Sequence, residues 1–417
     1  MNRKISKLRV VFIAILIPGM TAIAQGDPNK TMYIIKQGTV EYKTVVSDID
    51  SITFYDPAVP ATQITSTCYV DRAGRFEGTF NNTLLIDGKL ELTGTATSGT
   101  YTSVEFSTIN FTKLVGSWSV SHVNVNGSTV EVEFRVKNTS GAWSNWLSYR
   151  QWGFAHGANT SCTVTDTGNT RVNAGTTSDV ARMVEDEIGL NGTYNAFQYR
   201  FTLRRLNAST PSPKTKAIAA TLLSTSSESF SVPAAAQTWP ITGSNILRQQ
   251  DVPGIGGSIC SPTCITMLMV HKGIASFGGC TYKQEYTARK VVWDGYIFGN
   301  WSFGCSSMGS WETTDYIAYA RRVYSSNEIA HILTQGPVAA SIQGNATAGG
   351  AFIDINGTTQ YSGSGHLIVV RGFEMSDGAV SAFLISDPNT GEGTQDYKVT
   401  PASLLKALVS KIVYVLE

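Results

Sequence analysis

The sequence lacks several features that would point to other classes of protein. It has no apolar run of about 20 residues, which a membrane-spanning helix needs, and no internal repeat of solenoid or propeller length. It has no GxxxxGK loop for a nucleotide and no CxxC pair for zinc. Charged residues are only 15% of the chain and hydrophobic residues are 42%, which excludes global disorder. We expect a folded protein with no cofactor, no metal and no stable membrane insertion.

The first 24 residues have the pattern of a secretory signal peptide. Four basic residues precede the apolar run Val10 to Ile17, and the small-residue segment Ala22-Ile23-Ala24 follows. No cysteine comes next to accept a lipid, so we expect cleavage near Ala24 and release as a secreted, periplasmic or cell-surface bacterial protein. Removing the four basic residues changes the formal net charge from +1 to −3, which gives no basic excess for nucleic acid.

The 417 residues exceed the usual size of a single hydrophobic core, so we expect several domains. Residues 31–57 are predicted to be a small β leader element. Alternating runs between Gly, Asn and Ser turns predict an all-β sandwich, jelly-roll-like, over residues 64–223. A Ser-, Ala- and Pro-rich linker, 224–240, follows. The last segment, 241–417, begins with a helix and ends in strands, which is the α+β pattern of a papain-like domain.

A helix is predicted directly after Cys260. Ser261 suits its N-cap, Pro262 its first turn and Gly273 the position just past its end. A thiol at a helix N-terminus is favoured as thiolate, which is the nucleophilic form. Cys264 falls on the apolar face of this helix and is predicted to be a core residue.

His366 is the candidate base for this thiol, because the other four histidines lie in the sandwich or on predicted helices. It opens a strand, and a second strand ends at Asp387 before Pro388. A turn between Ser376 and Asp377 would place His366 and Asp387 opposite each other, where a carboxylate can orient an imidazole. Gln250, ahead of the glycine-rich loop before Cys260, is predicted to hold the oxyanion, with Gln249 as its rival.

These segments resemble a known family. The blocks are Cys260-Ser-Pro-Thr, Gly365-His366-Leu-Ile-Val-Val-Arg-Gly-Phe and Ile385-Ser-Asp387-Pro388-Asn389, and they resemble the secreted branch of the papain-fold peptidases similar to double-glycine leader peptidases. Upstream segments such as Trp143-Ser-Asn-Trp-Leu-Ser resemble the β-domain that precedes such peptidase units. The resemblance implies a Cys-His-Asp triad with a glutamine in the oxyanion hole, acting on a peptide or protein substrate.

Other interpretations remain open. The same triad would serve a cell-wall amidase or a transglutaminase-like enzyme, and an inactive surface-binding protein would keep the fold without the chemistry. Trp143, Trp146 and Trp152 suit either the core of the sandwich or a stacking platform for cell-surface glycans. Cys280 and Cys305 are the favoured disulfide pair, because both lie in one loop-rich stretch.

Overall fold

The structure is a computed structural model, and it describes residues 31–36, 39–45, 66–72, 75–124, 126–154, 172–278, 280–289, 298, 300–311, 314–389 and 395–417. The signal-peptide segment lies outside these residues. Residues Met1–Pro60 and Ala61–Glu417 form two separate compact units.

The first unit contains a β-hairpin in the segment expected to be a small β leader element. Strand β1 (Thr31–Lys36) pairs antiparallel with β2 (Thr39–Val45). The further strand predicted around Ile52 to Tyr55 lies outside the described residues.

The N-terminal part of the second unit is all β, and its strands are rich in alternating or continuous apolar residues. The strands are β3 (Cys68–Arg72), β4 (Gly78–Asn81), β5 (Thr83–Ile86), β6 (Lys89–Leu92), β7 (Ser98–Ser103), β8 (Phe106–Ser121), β9 (Ser128–Asn138), β10 (Leu147–Trp152), β11 (Val172–Ala174), β12 (Arg182–Glu185), β13 (Glu187–Arg205) and β14 (Lys214–Leu223).

These twelve strands join one sheet rather than two separate ones. The long strand β13 pairs with β7, β8, β9 and β12, and β14 pairs with β3, β6 and β8. Because long strands change partners along their length, the sheet bends into a near-barrel around a core that contains Trp118, Phe134 and Tyr199. The all-β prediction is confirmed, while the two-sheet form of the predicted sandwich is not.

The C-terminal part contains five α-helices, a second antiparallel sheet and a two-stranded hairpin among the described residues. The elements are β15 (Gln237–Thr238), α1 (Cys260–His271), α2 (Lys283–Thr287), α3 (Trp301–Gly309), β16 (Ala318–Arg322), α4 (Ser326–Leu333), β17 (Val338–Ile342), β18 (Phe352–Ile353), β19 (Thr359–Tyr361), β20 (His366–Ser376), β21 (Ala379–Ser386), β22 (Asp396–Val399), α5 (Pro401–Ala407) and β23 (Leu408–Leu416). The sheet order is β16-β23-β17-β20-β21-β22, with β15 also paired to β20, and β18 pairs with β19 to form the hairpin.

Helix α3 packs against strand β8 through serine side chains. Ser302 Oγ donates to the carbonyl of Gly116 at 2.6 Å, and Ser306 Oγ accepts from the N–H of Trp118 at 3.2 Å. A buried ion pair lies nearby, in which Arg322 Nη2 is 2.7 Å from Glu187 Oε1 and the Arg322 side chain is fully buried. The near-barrel and the C-terminal part are therefore joined by buried polar contacts as well as by a shared hydrophobic core inside one compact unit.

The predicted Cys280–Cys305 disulfide is wrong. Cys280 is disulfide-bonded, but Cys305 is a free thiol on α3, where it is buried in the core. Helix formation turns the Cys305 side chain into the packed interior instead of the loops. Within the described residues, no helix has both the length and the apolar character needed to cross a bilayer.

Candidate active site

Cys260 occupies the first position of helix α1. The helix begins two residues earlier than predicted, with Ile259 at its N-cap, so Ser261 lies inside the first turn and does not cap it. Most residues of the helix are buried, and Cys264 is fully buried, as predicted for a core residue. Cys260 itself is half-buried, and its thiol lies at the helix N-terminus.

His366 is the first residue of β20, and Asp387 follows directly after β21. Nε2 of His366 lies 2.8 Å from Oδ1 of Asp387, and both residues are buried. His366 also hydrogen-bonds to the Cys260 thiol, which leaves Nδ1 as the ring nitrogen that faces the sulfur. The structure therefore brings Cys260, His366 and Asp387 together in one hydrogen-bonded series.

The predicted register of the β20–β21 hairpin is wrong by two residues. Asp377 and Gly378 form the turn, with φ values of 53° and 76°, so Ser376 pairs with Ala379 and Val369 with Ser386. Two residues with positive φ are typical of a two-residue hairpin turn, and Asp-Gly favours it. A shift of two residues leaves each side chain on the same face of the sheet.

The charges at this site favour a thiolate and an imidazolium. Burial alone would raise the pKa of Cys260, but the hydrogen bond and charge of His366, with the backbone N–H groups of Leu367 and Ser261, lower it. Burial alone would lower the pKa of His366, but its bonds to Asp387 and Cys260 raise it. Both shifts favour the ion pair that cysteine peptidases use for nucleophilic attack.

Asp387 has two further hydrogen bonds that the sequence did not indicate. Tyr397 Oη, from β22, donates to Oδ2 at 2.8 Å, and the backbone N–H of Asn389 donates to Oδ1 at 2.8 Å. Tyr397 is buried, and it lies on this carboxylate only because β22 pairs with β21. The carboxylate is therefore fixed on both oxygens, with one of them facing His366.

The two glutamines differ in their surroundings. Gln250 is exposed, and its side-chain amide donates to Asn389 Oδ1, beside Asp387. Gln249 is buried, its Nε2 donates to the carbonyl of Gly256 at 2.8 Å and its backbone N–H donates to the carbonyl of Pro388 at 2.9 Å. Gln249 is thus held between the loop that leads to Cys260 and the segment that follows Asp387.

The described free thiols other than Cys260 are in environments that suppress ionisation. Burial raises the pKa of Cys264 and of Cys305 well above the usual range, and it raises the pKa of Cys68 to about 12. Cys260 differs from these three cysteines because its pKa is lowered.

The tryptophans considered for glycan binding divide into two groups. Trp152 is fully buried in the core. Trp143 and Trp146 are partly exposed, and the guanidinium group of Arg135 lies 4.5 Å and 4.8 Å from their ring centroids. Arg200 covers Trp146 as well, at 4.6 Å. Each of these two rings is therefore in cation–π contact with arginine within the domain.

Two family models match the sequence. Residues 241–414 match the Peptidase_C39 like family, and residues 74–222 match the Peptidase C39 N-terminal domain. The first match contains Cys260, His366 and Asp387, and the second covers most of the near-barrel. No curated protein matches the sequence.

Two solved structures align with part of the chain. They are the "Structure of infectious bursal disease virus Gx strain", with 14% identity and a TM-score of 0.18, and the "Structure of infectious bursal disease virus Gt strain", with 12% identity and a TM-score of 0.19. The first alignment covers 41% of this chain and 37% of the viral chain, and the second covers 45% and 40%. At these TM-scores neither alignment indicates a shared fold.

Proposed function

Because this chain belongs to the C39-like cysteine peptidases with an N-terminal domain, and is a cysteine-type hydrolase, we propose that it cleaves peptide bonds through a Cys260-His366-Asp387 triad. The observation that supports this most strongly is the hydrogen-bonded series from the thiol through the imidazole to the buried carboxylate. The lowered pKa of Cys260 is the electrostatic property that such a series requires.

In the proposed mechanism the Cys260 thiolate attacks the carbonyl carbon of the scissile peptide bond. The C–S bond forms as the carbonyl π electrons move to oxygen, which becomes an oxyanion. The His366 imidazolium then gives its proton to the leaving nitrogen, the C–N bond breaks, and an amine and a thioester result. Water, deprotonated by neutral His366, attacks the thioester and releases the carboxylic acid and the thiolate. Asp387 keeps the imidazole in one tautomer throughout.

The oxyanion needs two hydrogen-bond donors that are already in position. The backbone N–H of Cys260 is one candidate, because the first N–H groups of a helix have no acceptor within the helix. For the second, the contacts favour Gln249 over Gln250. Gln249 is buried and one N–H of its amide is tied to Gly256, which fixes the direction of the other N–H.

The arrangement around the triad supports a papain-like α+β fold for residues 241–417. Helix α1, with the nucleophile at its N-terminus, packs on one face of the antiparallel sheet through Cys264 and Ile265, against Leu367 and Val369. Helices α4 and α5 cover the other face. The nucleophile and the base therefore come from a helix and a sheet that meet at one end, as the predicted fold requires.

The proposed site of action is outside the cytoplasm, on a peptide or protein substrate. The pattern of residues 1–24 supports export, and the disulfide at Cys280 suits an oxidising compartment. The mature protein, incubated with unfolded casein or a mixed peptide library, should release new amino termini, and Cys260→Ala should release none. Intact substrate after incubation with the wild-type protein would contradict the proposal, as would equal cleavage by Cys260→Ala.

A further inference from the structure

An aromatic ring covers one face of the His366 imidazole. Tyr361, the last residue of β19, stacks on His366 with 4.9 Å between ring centroids and 27° between ring planes. Cys260 and Asp387 occupy the two nitrogen edges of the same imidazole. The ring is thus restrained at both edges and on one face.

The side chain of Tyr361 is tied to the peptide that enters β20. Its hydroxyl donates to the carbonyl of Gly365 at 2.6 Å and accepts from the N–H of Gly365 at 3.2 Å. Gly365 directly precedes His366. The same tyrosine therefore holds both the imidazole and the backbone from which this imidazole projects.

Gly363 leaves space that the Tyr361 side chain occupies. A Cβ on Gly363 would lie 2.3 Å from the Tyr361 hydroxyl oxygen and 2.6 Å from Cζ, far below van der Waals contact. By contrast, a Cβ on Gly365 would meet no atom within 4 Å. The absence of a side chain at Gly363 therefore makes room for the tyrosine ring.

Resting on the proposed function, we propose that Tyr361 is a positioning residue of the peptidase, whose ring fixes the plane of His366 and stabilises its protonated form. The face of an aromatic ring is electronegative and attracts a cation lying over it. The ring also displaces water from that face of the imidazole, which strengthens its interactions with Cys260 and Asp387. The χ2 torsion of a histidine has a broad range of allowed values. A stacked ring restricts the imidazole to the orientation in which it bonds both Cys260 and Asp387.

The test uses alkylation of Cys260 by iodoacetamide as a function of pH, which needs no peptide substrate. The charged or titratable groups that face the imidazole are Cys260 from α1, Asp387 after β21 and Tyr361 from β19, while Tyr397 faces Asp387.

Four variants form two matched pairs. Tyr361→Phe keeps the ring and Tyr361→Ala removes it; Gly365→Ala adds a methyl group in open space and Gly363→Ala adds one that displaces the tyrosine.

We expect Gly365→Ala to share the two inflections of the wild-type alkylation profile. Tyr361→Phe, which keeps the ring but loses both bonds to Gly365, should shift these inflections less than Tyr361→Ala does. In Tyr361→Ala and Gly363→Ala the thiol inflection should move up and the imidazolium inflection should move down. Turnover of a cleaved peptide should fall about 10- to 100-fold in both, with KM changed much less. If Tyr361→Ala fails to fold, by circular dichroism, Gly363→Ala carries the test.

Two results would overturn the proposal. One is an unchanged alkylation profile in whichever of Tyr361→Ala and Gly363→Ala folds, and the other is a Tyr361→Phe profile that matches Tyr361→Ala. Rapid alkylation of wild-type Cys260 without hydrolysis of any peptide would instead contradict the proposed function, and the alkylation profiles would still decide the role of Tyr361.

Discussion

Nε2 of His366 lies 2.8 Å from Oδ1 of Asp387, and neither side chain is more than 5% exposed. Such a buried contact fixes the tautomer of the neutral imidazole, with the proton on Nε2 and the lone pair of Nδ1 toward Cys260. It also provides a negative charge for the imidazolium of the ion pair. The following predictions test this relationship and its surroundings.

Asp387→Asn should reduce turnover by between about 10- and 10⁴-fold, because an amide neither balances the imidazolium charge nor selects the required tautomer. Peptide hydrolysis by purified variants gives this value. Asp396→Asn is the matched control, since its carboxylate pairs with Arg371 in a partly exposed bridge and not with His366. Similar losses in both variants would mean that any carboxylate in this sheet matters as much as Asp387.

Tyr397→Phe should lower kcat/KM about tenfold, because it leaves Oδ2 of Asp387 buried without its hydroxyl donor. Tyr319→Phe removes a comparable hydroxyl, which donates to Glu417 Oε1 at 2.5 Å, and should leave hydrolysis unchanged. The initial rate at low substrate concentration measures both. Full activity in Tyr397→Phe would show that the second oxygen of Asp387 needs no fixed partner.

Gln249→Ala should lower turnover on the order of 100-fold without unfolding the protein, as expected on removal of an oxyanion donor. Gln250→Ala, which removes an exposed side chain bonded to Asn389, should cost less than about threefold in turnover, which corresponds to about 0.6 kcal/mol. Steady-state kinetics on one peptide separates the two. The reverse pattern would restore Gln250, the residue favoured by sequence alone, as the oxyanion donor.

Glu187→Gln should destabilise the protein by about 3–5 kcal/mol, because it leaves the fully buried guanidinium of Arg322 without its carboxylate. Glu374→Gln breaks an exposed bridge to Lys398, and its cost should be about 0–1 kcal/mol. Urea unfolding at neutral pH compares them. Equal and small costs would show that the ion pair does not hold the near-barrel and the second sheet together.

Local sequence signals predicted most of the elements that carry the candidate site. Gly273 lies just past the end of α1 as predicted, although α1 begins at Cys260 and not at Pro262. The turn Asp377-Gly378 was misplaced although its residues favour a two-residue turn. At the turn and at the Val369–Ser386 end the register differs from the predicted one by two residues, which keeps the faces there, so the prediction that His366 contacts Asp387 did not depend on the turn.

Tertiary contacts could not be predicted in the same way. Tyr397 reaches Asp387 through the pairing of β22 with β21, and Tyr361 reaches His366 because a hairpin folds back on the start of β20. The sequence pattern around each tyrosine is that of an ordinary strand. The near-barrel was predicted as two sheets because alternation along a strand specifies a buried face but not how many partners that strand has.

The central claim is that Cys260 is the nucleophile, and the pH dependence of its alkylation tests it most directly. Since its pKa is lowered, the thiolate should persist as pH falls below about 8.5, the value for a free cysteine thiol. The native protein should thus incorporate iodoacetamide at Cys260 before Cys68, Cys264 or Cys305, with a rate that falls less between pH 8 and pH 6 than the rate of N-acetylcysteine. N-acetylcysteine should slow about tenfold per pH unit. Peptide mapping that finds Cys260 unlabelled, or labelled with the pH dependence of N-acetylcysteine, would contradict the account.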